Sequence, residues 1–156
     1  MENKNIERTR NEVIEYLKKC IAEFGNERFP LLTLTEFFSG NTEEESIAPN
    51  QWGEGRPSIA EIWERMRKVE ERPDVAWVRV VLHPDTDIAE YDGEFVCDIA
   101  GESIAICTSA KPEDIETMID CESLRSDGVI SHFEPYEVLD VPHTPEGYKV
   151  LQLVWD

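Results

Sequence analysis

A chain of 156 residues has the length of one domain, and its 40% hydrophobic and 9% aromatic content argues against a disordered polyelectrolyte. Thirty-four acidic against fifteen basic side chains give a formal net charge of −19, a field that repels phosphate and anionic lipid and so disfavours nucleic-acid and membrane-surface binding. No apolar run approaches the ~20 residues of a membrane span, and the charged N-terminus lacks a signal-peptide pattern, so a cytoplasmic protein is expected.

In chain order, Ile6, Val13, Ile14, Leu17, Ile21 and Phe24 recur at helical spacing. They predict an amphipathic helix from Asn5 to Phe24, stopped by Gly25. After Pro30, Thr33 or Thr35 can cap a short helix carrying Leu34, Phe37 and Phe38, with Gly40-Asn41 ending it. Residues 41–57 then read as a long irregular loop, rich in Glu, Pro and Gly. Ser58-Ile-Ala-Glu61 has capping-box spacing and opens a second long helix. Its apolar stripe is Ile59, Ile62, Trp63, Met66 and Val69, and Arg72-Pro73-Asp74 ends it.

Val75 to His83 is the best strand, with Val78, Val80 and Leu82 on one face and Trp77 and Val81 on the other. Asp92-Gly93 predicts a hairpin between Ile88–Tyr91 and Glu94–Ile99, and Ala100-Gly101 turns into a strand over Ser103–Thr108. Pro112 opens a further helix with acids in its first turn and Ile115, Met118 and Ile119 facing inward. A short strand is expected over Tyr136–Val141 and a closing one over Val150–Trp155, with 121–131 unassigned. The fold class that follows is α+β: one domain over 1–156, a mainly antiparallel sheet, and three main helices on one face.

The acid is unevenly distributed. The segment before Arg28 and the stretch from Pro57 to Arg79 are nearly balanced, whereas Phe29–Gly55 and Val80 onward hold the excess. Between Arg79 and Lys111 there is no Lys or Arg, yet Asp85, Asp87, Glu90, Asp92, Glu94, Asp98 and Glu102 all fall there. Such a surface steers a basic protein toward it, although solubility is an equally good explanation of the charge.

Cys20, Cys97, Cys107 and Cys121 form no C-x-x-C pair and no zinc-spaced cluster, so free thiols in a reducing compartment are expected, with a Cys97–Cys107 bridge as the alternative. No cofactor is implied, because a phosphate-cradling glycine loop is missing and Gly53-Glu-Gly55 lacks the following Lys. His83 with Asp85 and Asp87 fails the calcium-loop pattern, and one His beside two acids is expected by chance in so acidic a chain, so no metal is expected. No Ser or Cys sits in an activated nucleophile context, so no catalytic residue is assigned. The most suggestive binding segment is the loop region containing Glu36, Asn41, Ser46, Asn50, Gln51 and Trp52, with His83 added: polar groups and an indole on a long loop. The bland alternative is that Asn41 caps a helix and that Ile47 with Trp52 pins the loop to the body.

Glu36-Phe-Phe-Ser-Gly40-Asn41, then Ser46-Ile47, Arg72-Pro-Asp-Val75, Thr108-Ser-Ala-Lys-Pro-Glu113, Glu146-Gly-Tyr148 and Trp155-Asp156 occur in an order that resembles a family of small, uncharacterised bacterial proteins. The resemblance runs from about Leu31 onward and leaves out the first helix. It implies a bacterial, cytoplasmic protein and brings no catalytic residue with it. Small acidic proteins of this kind are similar to immunity proteins that neutralise basic toxins. The functional expectation is a non-enzymatic interaction module, an inhibitor or immunity-type partner of a basic protein. The rival is a small enzyme or ligand-binding domain using the Glu36–Asn50 region.

Overall fold

The structure, a computed structural model, describes residues 7–49 and 55–155. Helix α1 (Arg10–Phe24) starts at a full capping box: Thr9 accepts the Glu12 amide, and the Glu12 carboxylate accepts the Thr9 amide at 2.8 Å. Gly25 stops it at φ 67°, a backbone that favours glycine. Val13, Leu17 and Cys20 are its buried stripe. A two-residue strand β1 (Phe29–Pro30) leads to α2 (Leu34–Phe38), capped by Thr33. Helix α3 (Ile59–Glu70) buries Ile59, Ile62, Met66 and Val69, with Trp63 half-buried and stacked on Phe38. Ser58 caps it as predicted, but the Glu61 carboxylate turns to Arg65 at 3.0 Å, one turn along the helix.

Strands β2 (Val75–Leu82), β3 (Asp87–Tyr91), β4 (Glu94–Asp98) and β5 (Gly101–Thr108) follow. Then come α4 (Pro112–Ile119), β6 (Gly128–Ile130), β7 (Val138–Leu139) and β8 (Lys149–Val154). The main sheet is antiparallel in the order β2-β5-β8-β6, a hairpin β3-β4 stands apart from it, and β1 pairs with β7 in parallel. Where a strand was predicted over Tyr136–Val141, Pro135–Glu137 forms a 3-10 turn and only Val138–Leu139 extends, because the Pro135 ring presets a turn backbone.

Each face of the sheet has its own layer. Val78, Val80 and Leu82 join Ile104, Ile106, Leu151 and Leu153 under the helices, in the principal core. Trp77, Ala105 and Cys107 face the other way, as strand alternation requires. They are covered by Leu31 and by a strap of irregular chain carrying Phe133, Val138, Val141 and Tyr148. Besides the β1–β7 pairing, the strap is held by side-chain bonds, among them the Trp77 indole to the His143 carbonyl at 3.0 Å and Arg28 to the Val138 carbonyl at 3.1 Å. All four cysteines are free: Cys20 and Cys107 are buried, Cys97 and Cys121 half-buried. The Cys97–Cys107 bridge does not form, because β4 pairs only with β3 and β5 with β2 and β8. Among the described residues no helix is long and apolar enough to cross a membrane.

Candidate functional site

The residues singled out on the loop are placed by local hydrogen-bond needs. Thr33 and Glu36 form a capping box: Thr33 Oγ1 accepts the Glu36 amide at 3.0 Å, and Glu36 Oε1 accepts the Thr33 amide at 2.9 Å. The other carboxylate oxygen accepts the Arg8 amide at 3.0 Å and its guanidinium at 3.2 Å. Glu36 is only 5% exposed, so both oxygens are committed within the chain.

Asn41 closes the same helix, donating from its amide to the Phe37 carbonyl (3.3 Å) and to the buried Ser46 hydroxyl (3.0 Å). Its own oxygen accepts the Glu43 amide at 2.9 Å. Ser46 and Ala48 then exchange backbone bonds with Gly101, at 2.6 and 2.7 Å, and seat Ile47 fully inside the core. Asn50, Gln51 and Trp52 lie outside the described residues. His83 sits on the other side of the same turn: its amide reaches the Ala100 carbonyl at 2.7 Å, and its Nδ1 accepts the Asp85 amide at 2.9 Å. Glu36, Asn41 and Ser46 thus form one continuous structure around α2, while His83 reaches it only through the Ala100–Gly101 backbone.

A polar cluster joins α1 to the strap. The Arg8 guanidinium lies 4.2 Å from the centre of the Tyr16 ring and 3.5 Å from the Asp140 carboxylate, to which the Tyr16 hydroxyl donates at 2.8 Å. Burial, and then that bond to Asp140, raise the Tyr16 phenol above its ordinary value. An open groove of about 350 Å³ runs beside the cluster along α1, past Glu12 and Lys19.

There are two further hollows, the first beside α4. One, of about 490 Å³, is lined by Glu116, Asp120, Glu122 and Asp127, with Cys121 at its wall. Burial, then the Glu116 charge, pushes the Cys121 thiol up to about 11. The other, of about 410 Å³, lies over Arg72, Asp74, Ser109 and Tyr148. There Arg72 is held by a bidentate pair with Asp74, both bonds 2.8 Å. Among the described residues no group of three or more His, Cys, Asp or Glu side chains is disposed to hold a metal ion.

The β3–β4 hairpin, expected from Asp92-Gly93, carries two exposed aromatic residues outside the expected binding segment. Asp92 and Gly93 both take positive φ (54° and 84°), the backbone of a tight two-residue hairpin turn. The pairing places Ile88 opposite Cys97 on the core side, and Asp87 opposite Asp98, Ala89 opposite Val96 and Tyr91 opposite Glu94 on the solvent side. Tyr91 is 55% exposed and Phe95 53%. The signal was present in the sequence, as an aromatic beside an acid on each side of the turn, Glu90-Tyr91 and Glu94-Phe95.

Compared with known families, residues 8–153 match the model of the Uncharacterized protein YfbO family. The match takes in α1, which the motif-based resemblance left out, and ends before Trp155-Asp156. No curated protein and no solved structure matches the chain.

Proposed function

The chain belongs to the YfbO family, and from its surface we propose a non-enzymatic interaction module that takes a basic protein as partner, in the manner of an inhibitor or immunity-type protein. The observation that carries this reading is the exposed acidic, aromatic surface of the strand-rich half. Tyr91 and Phe95 are exposed near the tip of a hairpin, one on each of its faces, and the hairpin's charged side chains are all carboxylates. Desolvated aromatics supply the energy of protein contacts, and uncompensated charge around them supplies on-rate and selects the sign of the partner. The commitment of Glu36, Asn41 and Ser46 to bonds within the chain is consistent with it, since those groups are then supports of the loop.

Immobilised protein exposed to cell extract at low ionic strength, then eluted with a salt gradient, tests the reading. A discrete basic polypeptide should be retained, and the purified pair should show a Kd that weakens steeply with salt. Retention of nothing at low salt, or retention indifferent to salt, would refute it.

A further inference from the structure

We propose that the open edge of β4 is where the partner docks, and that it takes an extended basic segment as an added strand, with basic, apolar and basic side chains in alternation. The proposal rests on the interaction reading above and names its surface.

Among the described residues, each edge of the main sheet is engaged by a neighbouring segment at one point. On the outer side of β2, Leu32 and Val80 exchange two backbone bonds, at 3.1 and 2.7 Å. On the outer side of β6, the Glu116 carboxylate accepts the Val129 amide at 2.8 Å. Strand β3 lies beside α1. Among the described residues, strand β4 has no second neighbour and no backbone group of Glu94–Asp98 bonds outside the hairpin.

Tyr91 and Glu94 flank the two-residue turn as a bonded pair, so alternation turns the amides and carbonyls of Phe95 and Cys97 outward. Natural edges are blunted by Lys, Pro or a bulge. This one has none of them: β4 reads Glu-Phe-Val-Cys-Asp and its register runs unbroken.

Charge selects the occupant. Glu94, Val96 and Asp98 share the solvent face of β4, and Asp87 stands directly opposite Asp98 on that face. A like-charge cross-strand pair destabilises the hairpin, and a cation laid across it relieves that. The same carboxylates repel a second copy of this chain, which would otherwise be the readiest strand donor. The near cation, Arg10, lies on the Cys97 side and reaches toward the Phe37 carbonyl at 3.5 Å. A strand added to β4 therefore meets Glu94, Val96 and Asp98 in sequence, and the complement is Lys or Arg, an aliphatic residue, then Lys or Arg.

The probe is a blocked peptide, Ser-Lys-Thr-Val-Thr-Arg-Ser, titrated into the full chain while amide exchange is followed residue by residue by NMR. The Phe95 and Cys97 amides should become protected on binding. A peptide N-methylated at its edge-facing amides should not bind, and the E94Q/D98N variant, checked for an unchanged circular dichroism spectrum, should bind about fivefold more weakly. Salt-sensitive binding with protection elsewhere overturns the β4 assignment and leaves the interaction reading standing. Failure of the peptide to bind overturns this proposal, while the extract experiment decides the broader reading separately. Protection of Phe95 and Cys97 that grows with protein concentration alone also overturns it, since the occupant is then a second copy.

Discussion

Glu36 is where a binding role and a structural role predict opposite outcomes. The substitution Glu36→Gln keeps the shape and removes the charge. The single amide oxygen can keep the Thr33 amide, at 2.9 Å in the parent. The amide nitrogen must then face the Arg8 amide and guanidinium, now at 3.0 and 3.2 Å, donor against donor. A hydrogen bond to a charged acceptor contributes about 1.5–3 kcal/mol. The Arg8 side chain is 35% exposed and regains water, so its ion-pair share is at most about 1 kcal/mol. Taking the lower bond value for the Arg8 amide and a part of the pair, the loss is about 2 kcal/mol. For a domain of this size that is a fall in Tm of about 4–8 °C. Urea and thermal unfolding at neutral pH measure it, and the double variant with Arg8→Ala should lose less than the sum of the singles. A midpoint unchanged to within about 0.5 kcal/mol would refute the structural assignment and return Glu36 to the candidates for ligand binding.

Three other outcomes follow from the packing, the thiols and the hairpin. A methyl group added by Gly101→Ala would lie 2.8 Å from Ile47 Cδ1 and 3.1 Å from Val80 Cγ1, costing about 1–3 kcal/mol by overpacking. Because Gly101 holds Ala48 at 2.7 Å, faster exchange of the Ala48 amide should accompany the loss, and an unaltered rate would count against this account. Cys20 and Cys107 should resist a thiol reagent at pH 8 until the protein unfolds, while Cys121 labelling should keep rising with pH toward about 11. Since that thiol is raised above its unfolded value, the stability it contributes is complete below about pH 8.5 and is lost as pH rises through the folded value. Prompt labelling of all four cysteines at pH 8 would contradict the burial. Finally, Asp98→Asn should stabilise the isolated chain by about 0.2–0.5 kcal/mol at low salt, and by less at high salt. A loss of stability would show that the opposed aspartates are not in conflict.

What was legible in the sequence was whatever a local rule determines. The 3.6-residue period located α3 and the end of α1, but α1 opens only at Arg10, after the Thr9 cap, and not at Asn5 as expected; Asp92-Gly93 located the hairpin turn to the residue. The alternation in β2 put Trp77 opposite Val78 and Val80, but helices were expected on one face of the sheet only. The alternation did not say what covers the second face. Phe133, Val138, Val141 and Tyr148 carry no period, because the strap is held by a two-residue ladder to β1 and by single side-chain bonds to distant residues, with almost no repeating backbone of its own. For the site, the Thr-x-x-Glu spacing at Thr33–Glu36 is the same signal that located Ser58–Glu61, so a capping role for Glu36 was readable. That Arg8 would take the second oxygen was not, because their contact spans all of α1 and all of β1. At Ser58 the spacing was right but Arg65, one turn on, competed for the Glu61 carboxylate and won.

Strand β8 has a consequence for how the molecule assembles. Residues 149–154 occupy an inner position of the sheet, between β5 and β6, although they come last among its strands in the chain. A polypeptide growing from its N-terminus can form α1, the β3–β4 hairpin and the β2–β5 ladder. It must hold one side of β5 and all of β6 unpaired until those residues arrive. Closing the long gap from β5 to β8 carries the larger loop-closure entropy, and long-range pairing of that kind slows folding. Chains interrupted before residue 149 should expose β5 as a bare apolar strand and aggregate through it, while a chain that has inserted β8 has no comparable vacancy in its main sheet.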